Sequence, residues 1–443
     1  MAYILPYGKG ELFFQLNGEV QEIKPSEQGV LPDVAGALRE AINNPIGSES
    51  LARIVQPGDK TVIVVSDITR LWVRTKLIVP VLLDELNKLG VPDRDISIVV
   101  ALGDHRPLTR AEHLMICGDT VLGRIAIHDH DCRGVDLVDL GFSSRGTPVL
   151  VNRRVWEADR VILTGGISYH LMAGFGGGRK SLAPGVCGYE TIQRNHGLAL
   201  APGEIGVNPR AGTGLLTGNP VAEDMMEIAE KIGADFIVNV VVNNHQEPVY
   251  IAAGALREAH LAGCRVVEEI YGVRMEREAD LVLASCGGYP KDMQLYQAIK
   301  ALDNASYAVR AGGVIVLAAE CADGVGSEPF LNFFVQGDVE ELQAALYRNF
   351  TMPGFVALRT AEIARRTPVI LVSVLSEDVS RQVKMRPAAS ADAAVRMALE
   401  LLGGEPQLTY LMSHASGTFP QVSLCYKDDF RSGLSLLFDK VAF

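Results

Sequence analysis

The sequence predicts an α/β protein of two domains, each a mostly parallel sheet covered by helices, with the active site in the interdomain cleft. Three observations lead there. Uninterrupted Val, Ile and Leu runs recur at Thr61–Ser66, 97–102, 160–164, Ala279–Ser285, 313–318 and 368–374. Runs without polar alternation suit strands covered on both faces, the usual condition of a parallel sheet. Amphipathic stretches of helical length separate them, which is the βα alternation of covered sheets. The chain, at 443 residues, is also longer than one ordinary domain.

Each element follows in order. The strand Thr61–Ser66 leads into a helix predicted over about 76–89. Thr109, after the strand at 97–102, is placed to cap a short helix. Phe236–Val242 and 248–251 read as neighbouring strands, followed by a helix over 255–271. The charged segment 272–278 is directly followed by a new strand, so the domain boundary is set near 273–278. Residues 1–272 then form an N-terminal domain and 273–416 a C-terminal one, while the tail 417–443, apolar in places, is expected to pack back on the N-terminal domain. No internal repeat or low-complexity segment occurs.

Composition narrows the partners. Lys and Arg number 41 against 53 Asp and Glu, a formal charge of −12. That balance argues against nucleic acid or an anionic membrane, but not against a small anionic substrate held by a few local cations. The seven cysteines are odd in number and form no CxxC pair, which points to a reducing cytoplasm rather than a disulfide or zinc framework. The N-terminus lacks a signal-peptide pattern, and no apolar run reaches the length of a membrane span. An oligomer is left open.

Ligands of open α/β sheets bind beyond the carboxyl ends of the strands. Asp67-Ile-Thr69-Arg70 follows the first run, Gly103-Asp104-His105 the second, and His170 with a glycine-rich turn ending in Lys180 the third. His196 comes a short stretch later, and Tyr296, Gln297 and Lys300 follow the run at Ala279–Ser285. Glycines at 174 and 176–178 permit close backbone approach to a ligand. The turn nearly spells a phosphate-binding loop, G-x-x-x-x-G-K-[ST], with Arg179 where its second glycine belongs. A nucleotide-binding phosphotransferase or ATPase is therefore the alternative reading. His128, His130 and Cys132 alternate as on a strand face and form a weaker candidate metal set. His113, His245, His260 and His414 read as surface or structural.

Taken in order, Asp67-Ile-Thr-Arg70, Leu-Gly-Asp-His105-Arg-Pro, Tyr-His170 with Ala-Gly-Phe-Gly-Gly-Gly-Arg-Lys180, Asn195-His196, Gly218-Asn219-Pro220-Val221 with Glu223-Asp224, and Tyr296-Gln297 with Lys300 resemble the nickel-dependent lactate racemase family. Members racemise or epimerise 2-hydroxy acids. The resemblance implies a nickel pincer nucleotide (pyridinium-3-thioamide-5-thiocarboxylic acid mononucleotide nickel) joined covalently to Lys180, with His196 as the fourth nickel ligand. Soft sulfur, carbon and imidazole donors in a plane suit nickel. It implies cofactor contacts from Asp67, Thr69, Gly177 and Gly178, and cofactor-maturation enzymes as partners. Arg70, Tyr296, Gln297 and Lys300 would hold the substrate. His105 and His170 would be the acid/base pair, one on each face, while hydride leaves C2 and returns to a planar 2-keto acid. Free histidine titrates near about 6.5, so either can take or give a proton at neutral pH. Two departures stand out: Tyr169 precedes His170, and no residue aligns with the family's pocket tryptophan unless Phe355 replaces it.

Overall fold

The computed structural model describes residues 1–422. They form two compact units. One comprises Glu27–Ala199 and Pro209–Ile270, and the other comprises Met1–Ser26, Leu200–Asn208 and the chain from Tyr271 onward.

The first, N-terminal unit is built on strands β1 (Thr61–Ser66), β2 (Ile96–Ala101), β3 (Ala126–Asp129), β4 (Arg160–Gly166), β5 (Phe236–Val242) and β6 (Pro248–Gly254). Their order across the sheet is β6-β5-β4-β1-β2-β3, and only β6 runs antiparallel to its neighbour. The chain goes from β1 to one side and returns on the other, so the sheet has a switch point between β1 and β4, where the carboxyl ends open a crevice. Helix α1 (Val34–Asn43) and helix α2 (Thr75–Lys88) cover the sheet; α2 buries Ile78, Val79, Leu82, Leu83 and Leu86 at helical spacing. Helix α3 (Arg110–Cys117) starts at Thr109, with Glu112 completing a capping box. Helices α4 (Tyr189–Gly197), α5 (Pro220–Ile232) and α6 (Leu256–Tyr271) carry the later part of the unit.

The second, C-terminal unit holds β7 (Ala279–Ser285), β8 (Val309–Ala318), β9 (Val369–Val372), β10 (Arg386–Ala388) and β11 (Leu408–Met412). The order is β10-β9-β8-β7-β11, with Glu19–Glu22 added beyond β11, all parallel. Helices α7 (Leu295–Ala305), α8 (Met352–Arg366) and α9 (Ala391–Leu402) belong to this unit. Here the structure departs from the sequence expectation that residues 1–272 form one domain. Glu19–Glu22 pairs with β11, and the hairpin Ala2–Tyr7 with Gly10–Gln15 places Leu5, Phe14 and Leu16 in this unit's core. Of the tail, Phe419–Val422 pairs with Gly272–Met275 inside the same unit rather than on the N-terminal one, and 423–443 lie outside the described residues. Among the described residues, no helix is long and apolar enough to cross a membrane.

Candidate active site

The first station lies at the ends of β1 and β2. Asp67 caps the turn Ile68–Val73, its Oδ1 accepting from Thr69 N at 3.1 Å and Thr69 Oγ1 at 2.6 Å. Arg70 Nη1 donates to the same Thr69 hydroxyl at 2.8 Å. Beyond β2, Gly103 takes φ +57°, a conformation that favours glycine, and turns the chain so that His105 returns toward Asp67. A short hydrogen bond joins His105 Nδ1 to Asp67 Oδ2. Asp67 is only 5% exposed while His105 is 51% exposed. Burial raises the Asp67 carboxyl, but its bonds from His105 and Thr69 outweigh that and hold it below the ordinary carboxylate value. The Asp67 hydrogen bond correspondingly raises His105. With Nδ1–H donated to a carboxylate, the neutral imidazole keeps its lone pair on Nε2, the arrangement of an oriented general base.

The second station lies beyond β4. The strand runs into a two-residue hairpin, Tyr169–His170 against Gly174–Phe175, in which Tyr169 packs on Phe175 with ring centroids 5.1 Å apart. His170 Nδ1 accepts from the amides of Ala173 at 3.1 Å and Met172 at 3.3 Å. Its Nε2 lies 3.2 Å from Lys180 Nζ. The glycine turn is held from below: Asn239 Oδ1 accepts from Gly178 N at 2.6 Å, and a Cβ on Gly177 would sit 2.5 Å from that oxygen. Gly177 has φ +70°, so a side chain there meets both a steric and a conformational barrier.

Lys180 sits in a short 3-10 turn, Gly178–Ser181. A phosphate-binding loop instead opens an α-helix whose N-terminal amides face the phosphate, so the local fold does not support the phosphotransferase alternative. Arg179, the residue that broke that motif, is buried, and its Nη2 donates to Ala173 O at 2.7 Å. Burial, with the charges of Arg70 and Arg179, pushes the Lys180 amine down to about 7.

His196 occupies the last turn of α4 and is buried. Burial, followed by the Lys180 charge, drives it down to about 3, so its imidazole is neutral through the physiological range. Its neighbour Asn195 donates to Asp224 Oδ2 on α5 at 2.8 Å. The fully buried Asp224 also accepts from Ser143 Oγ at 2.5 Å and Thr147 Oγ1 at 2.9 Å, which fixes α4 against α5. Asn219 caps α5 and reaches back to Met172 O at 3.0 Å, tying the same helix to the His170 hairpin.

Asp67, Thr69, Arg70, His105, His170, Gly177, Gly178, Lys180 and His196 therefore all belong to the N-terminal unit; the Arg70 charge acts on Lys180, and the Lys180 charge on His196. Tyr296, Gln297 and Lys300 lie on α7 of the C-terminal unit. Tyr296 is half-buried against Phe330, at 5.5 Å between centroids, while Gln297 and Lys300 are exposed and three positions apart. Phe355 does not line a pocket: it is fully buried on α8 beside Phe350. His128, His130 and Cys132 form no metal set, because His130 Nε2 is committed to Cys187 O at 2.8 Å and its Nδ1 to Asn152. No cluster of three or more His, Cys, Asp or Glu side chains suited to a metal occurs among the described residues. Sequence reasoning missed Asn239; of the two readings given to His260, surface or structural, the structure supports the second. His260 is fully buried under the glycine turn, with Nε2 2.9 Å from Gly176 O. The available signal was its place on the buried stripe of α6, with Leu256, Gly263, Cys264 and Val267.

Known proteins resemble the chain over nearly its whole length. Residues 7–206 match the family model described as the lactate racemase N-terminal domain, and residues 274–416 the lactate racemase C-terminal domain. The lactate racemase of Thermoanaerobacterium thermosaccharolyticum is 34% identical over 418 residues, spanning 92% of this chain and 96% of that one. The lactate racemase of Lactiplantibacillus plantarum is 32% identical over 424 residues, spanning 93% and 98%. The solved structure of the lactate racemase apoprotein from T. thermosaccharolyticum matches with a TM-score of 0.83 at 31% identity, over 95% of this chain and 100% of that one. A crystal structure of a Thermotoga maritima protein shares the fold, at a TM-score of 0.64 and 18% identity. With both domains matched in order and identity above 30% across nearly the whole length, the chain belongs to the lactate racemase family, and it is an isomerase of the racemase class.

Proposed function

We propose that the protein inverts C2 of a small 2-hydroxy acid of the lactate type, using a nickel pincer nucleotide held covalently on Lys180. The observation that carries this reading is the constellation at one sheet edge. It combines a carboxylate-backed histidine, a second histidine, a lysine amine lowered to about 7 and a buried neutral imidazole. The residues fit the group. An amine near neutrality can be acylated, and a neutral His196 can ligate a soft metal. Lys180 would attach it, His196 would ligate nickel, and Asp67, Thr69, Gly177 and Gly178 would border it. When bound, it supplies the hydride acceptor and donor that let the substrate pass through a planar 2-keto acid.

The rest of the work falls to this chain. His105 takes or returns the hydroxyl proton at Nε2, and Asp67 stabilises the imidazolium that forms. His170 is the acid/base group of the other face, as inversion requires. Arg70 binds the carboxylate. Maturation enzymes supply the cofactor. The buried free cysteines among the described residues suit a reducing cytoplasm.

The test is intact mass and metal analysis of protein co-expressed with the maturation enzymes, followed by a chiral assay on 2-hydroxy acids. The expected result is a mononucleotide-sized adduct mapping to Lys180, about one nickel per chain, and racemisation. No adduct and no nickel, in material where a control racemase is loaded, overturns the proposal.

A further inference from the structure

We propose that the pocket at the start of α2 receives a second acid group of the substrate, which makes that substrate a 2-hydroxy diacid. The inference rests on the proposed function and narrows it. Arg70, Arg74 and Lys76 line a pocket of about 180 Å³. None of these cations is ion-paired among the described residues, in a chain of formal charge −12. Asp67 is the one carboxylate among the lining residues, and His105 and Thr69 already occupy it. An acidic chain that gathers cations without carboxylates to answer them has built a place for an anion.

Two further features call for the same ligand. Thr75 is 4% exposed and lines the pocket, and its hydroxyl has no hydrogen-bond partner among the described residues. Arg74 stands at the N-cap of α2 with φ +59°, a left-handed conformation that is costly for a residue with a Cβ. It offers no side-chain acceptor to the first amides of the helix, and the first turn holds no acidic residue. Helix N-termini favour anions and disfavour cations. Arg74 and Lys76 therefore oppose the helix locally until an anion lies between them. Arg74 Nε donates to Gln246 O at 3.0 Å, which anchors the guanidinium and leaves its two terminal nitrogens for an acid group.

Placement selects the substrate as the source of that anion. Asp67 and Arg70 line this pocket and also belong to the station of His105. On the proposed function Arg70 takes the carboxylate beside C2. A second acid group then meets Arg74, Lys76 and the Thr75 hydroxyl further along the same turn. Met115 of α3 gives an apolar wall for the carbons between the two groups. A monoacid such as lactate leaves these residues unused. The rival anion is the phosphate of a mononucleotide, and the test separates the two.

One arm needs no cofactor. Apoprotein is titrated calorimetrically with butanedioate, which has two acid groups and no hydroxyl, and with propanoate, which has one. Butanedioate should bind about tenfold more tightly or better, and Arg74→Gly combined with Lys76→Gln should abolish the difference. Arg74→Gly suits the left-handed backbone and removes a cation from the helix N-terminus, so that variant should melt at least as high as wild type. The second arm uses loaded enzyme. The ratio of kcat/KM for 2-hydroxybutanedioate over lactate should fall about a hundredfold in the double variant, chiefly through KM. Equal affinity of apoprotein for the two acids overturns the proposal, as does a ratio that the double variant leaves in place. Less Lys180 adduct in the double variant at an unchanged ratio also overturns it, and assigns the pocket to the nucleotide phosphate. Absence of any racemisation strikes the proposed function, while the calorimetric arm still decides the pocket.

Discussion

His105 and His170 follow strands of one parallel sheet, yet they are held in opposite ways. His105 is largely exposed and fastened by one buried carboxylate, which raises it and leaves Nε2 as the lone-pair nitrogen. His170 is half-buried and fastened by two backbone amides, with Nε2 turned to a lysine. The first station depends on one charge. The second depends on a hairpin braced by Asn219, Asn239 and Arg179, with Asp224 locking the helix of His196 alongside. Side-chain identity is the same at both, and the partner of Nδ1 decides what each can do.

The sharpest way to break the comparison is to remove each ring. His105→Ala and His170→Ala should each lower kcat for racemisation on the order of a thousandfold. The His105 variant should retain the full Lys180 adduct mass, and normal turnover in either would dissolve the two-base scheme.

Next in size is the scaffold of the second station. Asp224→Ala leaves three buried donors, from Ser143, Thr147 and Asn195, without their acceptor. We expect a loss of about 3 kcal/mol in denaturant unfolding, with less nickel bound per chain. An unchanged midpoint would show that Asp224 does not hold α4.

Asp67→Asn touches the first station alone. Without the carboxylate that raises His105, the acidic limb of kcat/KM should move to lower pH, and kcat should fall about ten- to a hundredfold through loss of the oriented tautomer. A limb that stays in place would mean that His105 is not the group titrating there.

A last effect is on acid stability. Burial lowers His196 and His260 to about 3 from an ordinary 6.5. Between those values the unfolded chain takes protons that the folded protein refuses, so their contribution is complete above about 6.5 and shrinks as pH falls toward about 3. The melting temperature should therefore drop across that window, less steeply in His260→Gln. An identical slope in the variant would remove His260 from the explanation.

Much of this was legible beforehand. The bounds of Thr61–Ser66, Phe236–Val242 and Ala279–Ser285 match the observed strands, because strands covered on both faces must be apolar at every position. The strand at 160–164 extends to Gly166, since its last two residues are glycines that carry no strand signal. The short Glu19–Glu22 strand is charged and exposed, so only its pairing partner identifies it.

The sequence alone determined the α/β class, the covered parallel strands, and the polar residues that follow them: Asp67, Arg70, His105, His170, Lys180 and His196. These are local properties, written in apolar runs and in what interrupts them. Tertiary structure decided the rest. It brought Asp67 to His105 across 38 positions, set Asn239 and His260 beneath the glycine turn, and gave Met1–Ser26 to the C-terminal unit. Hydrogen-bond partners and burial arise between segments far apart in the chain, and no local pattern records which segments will meet.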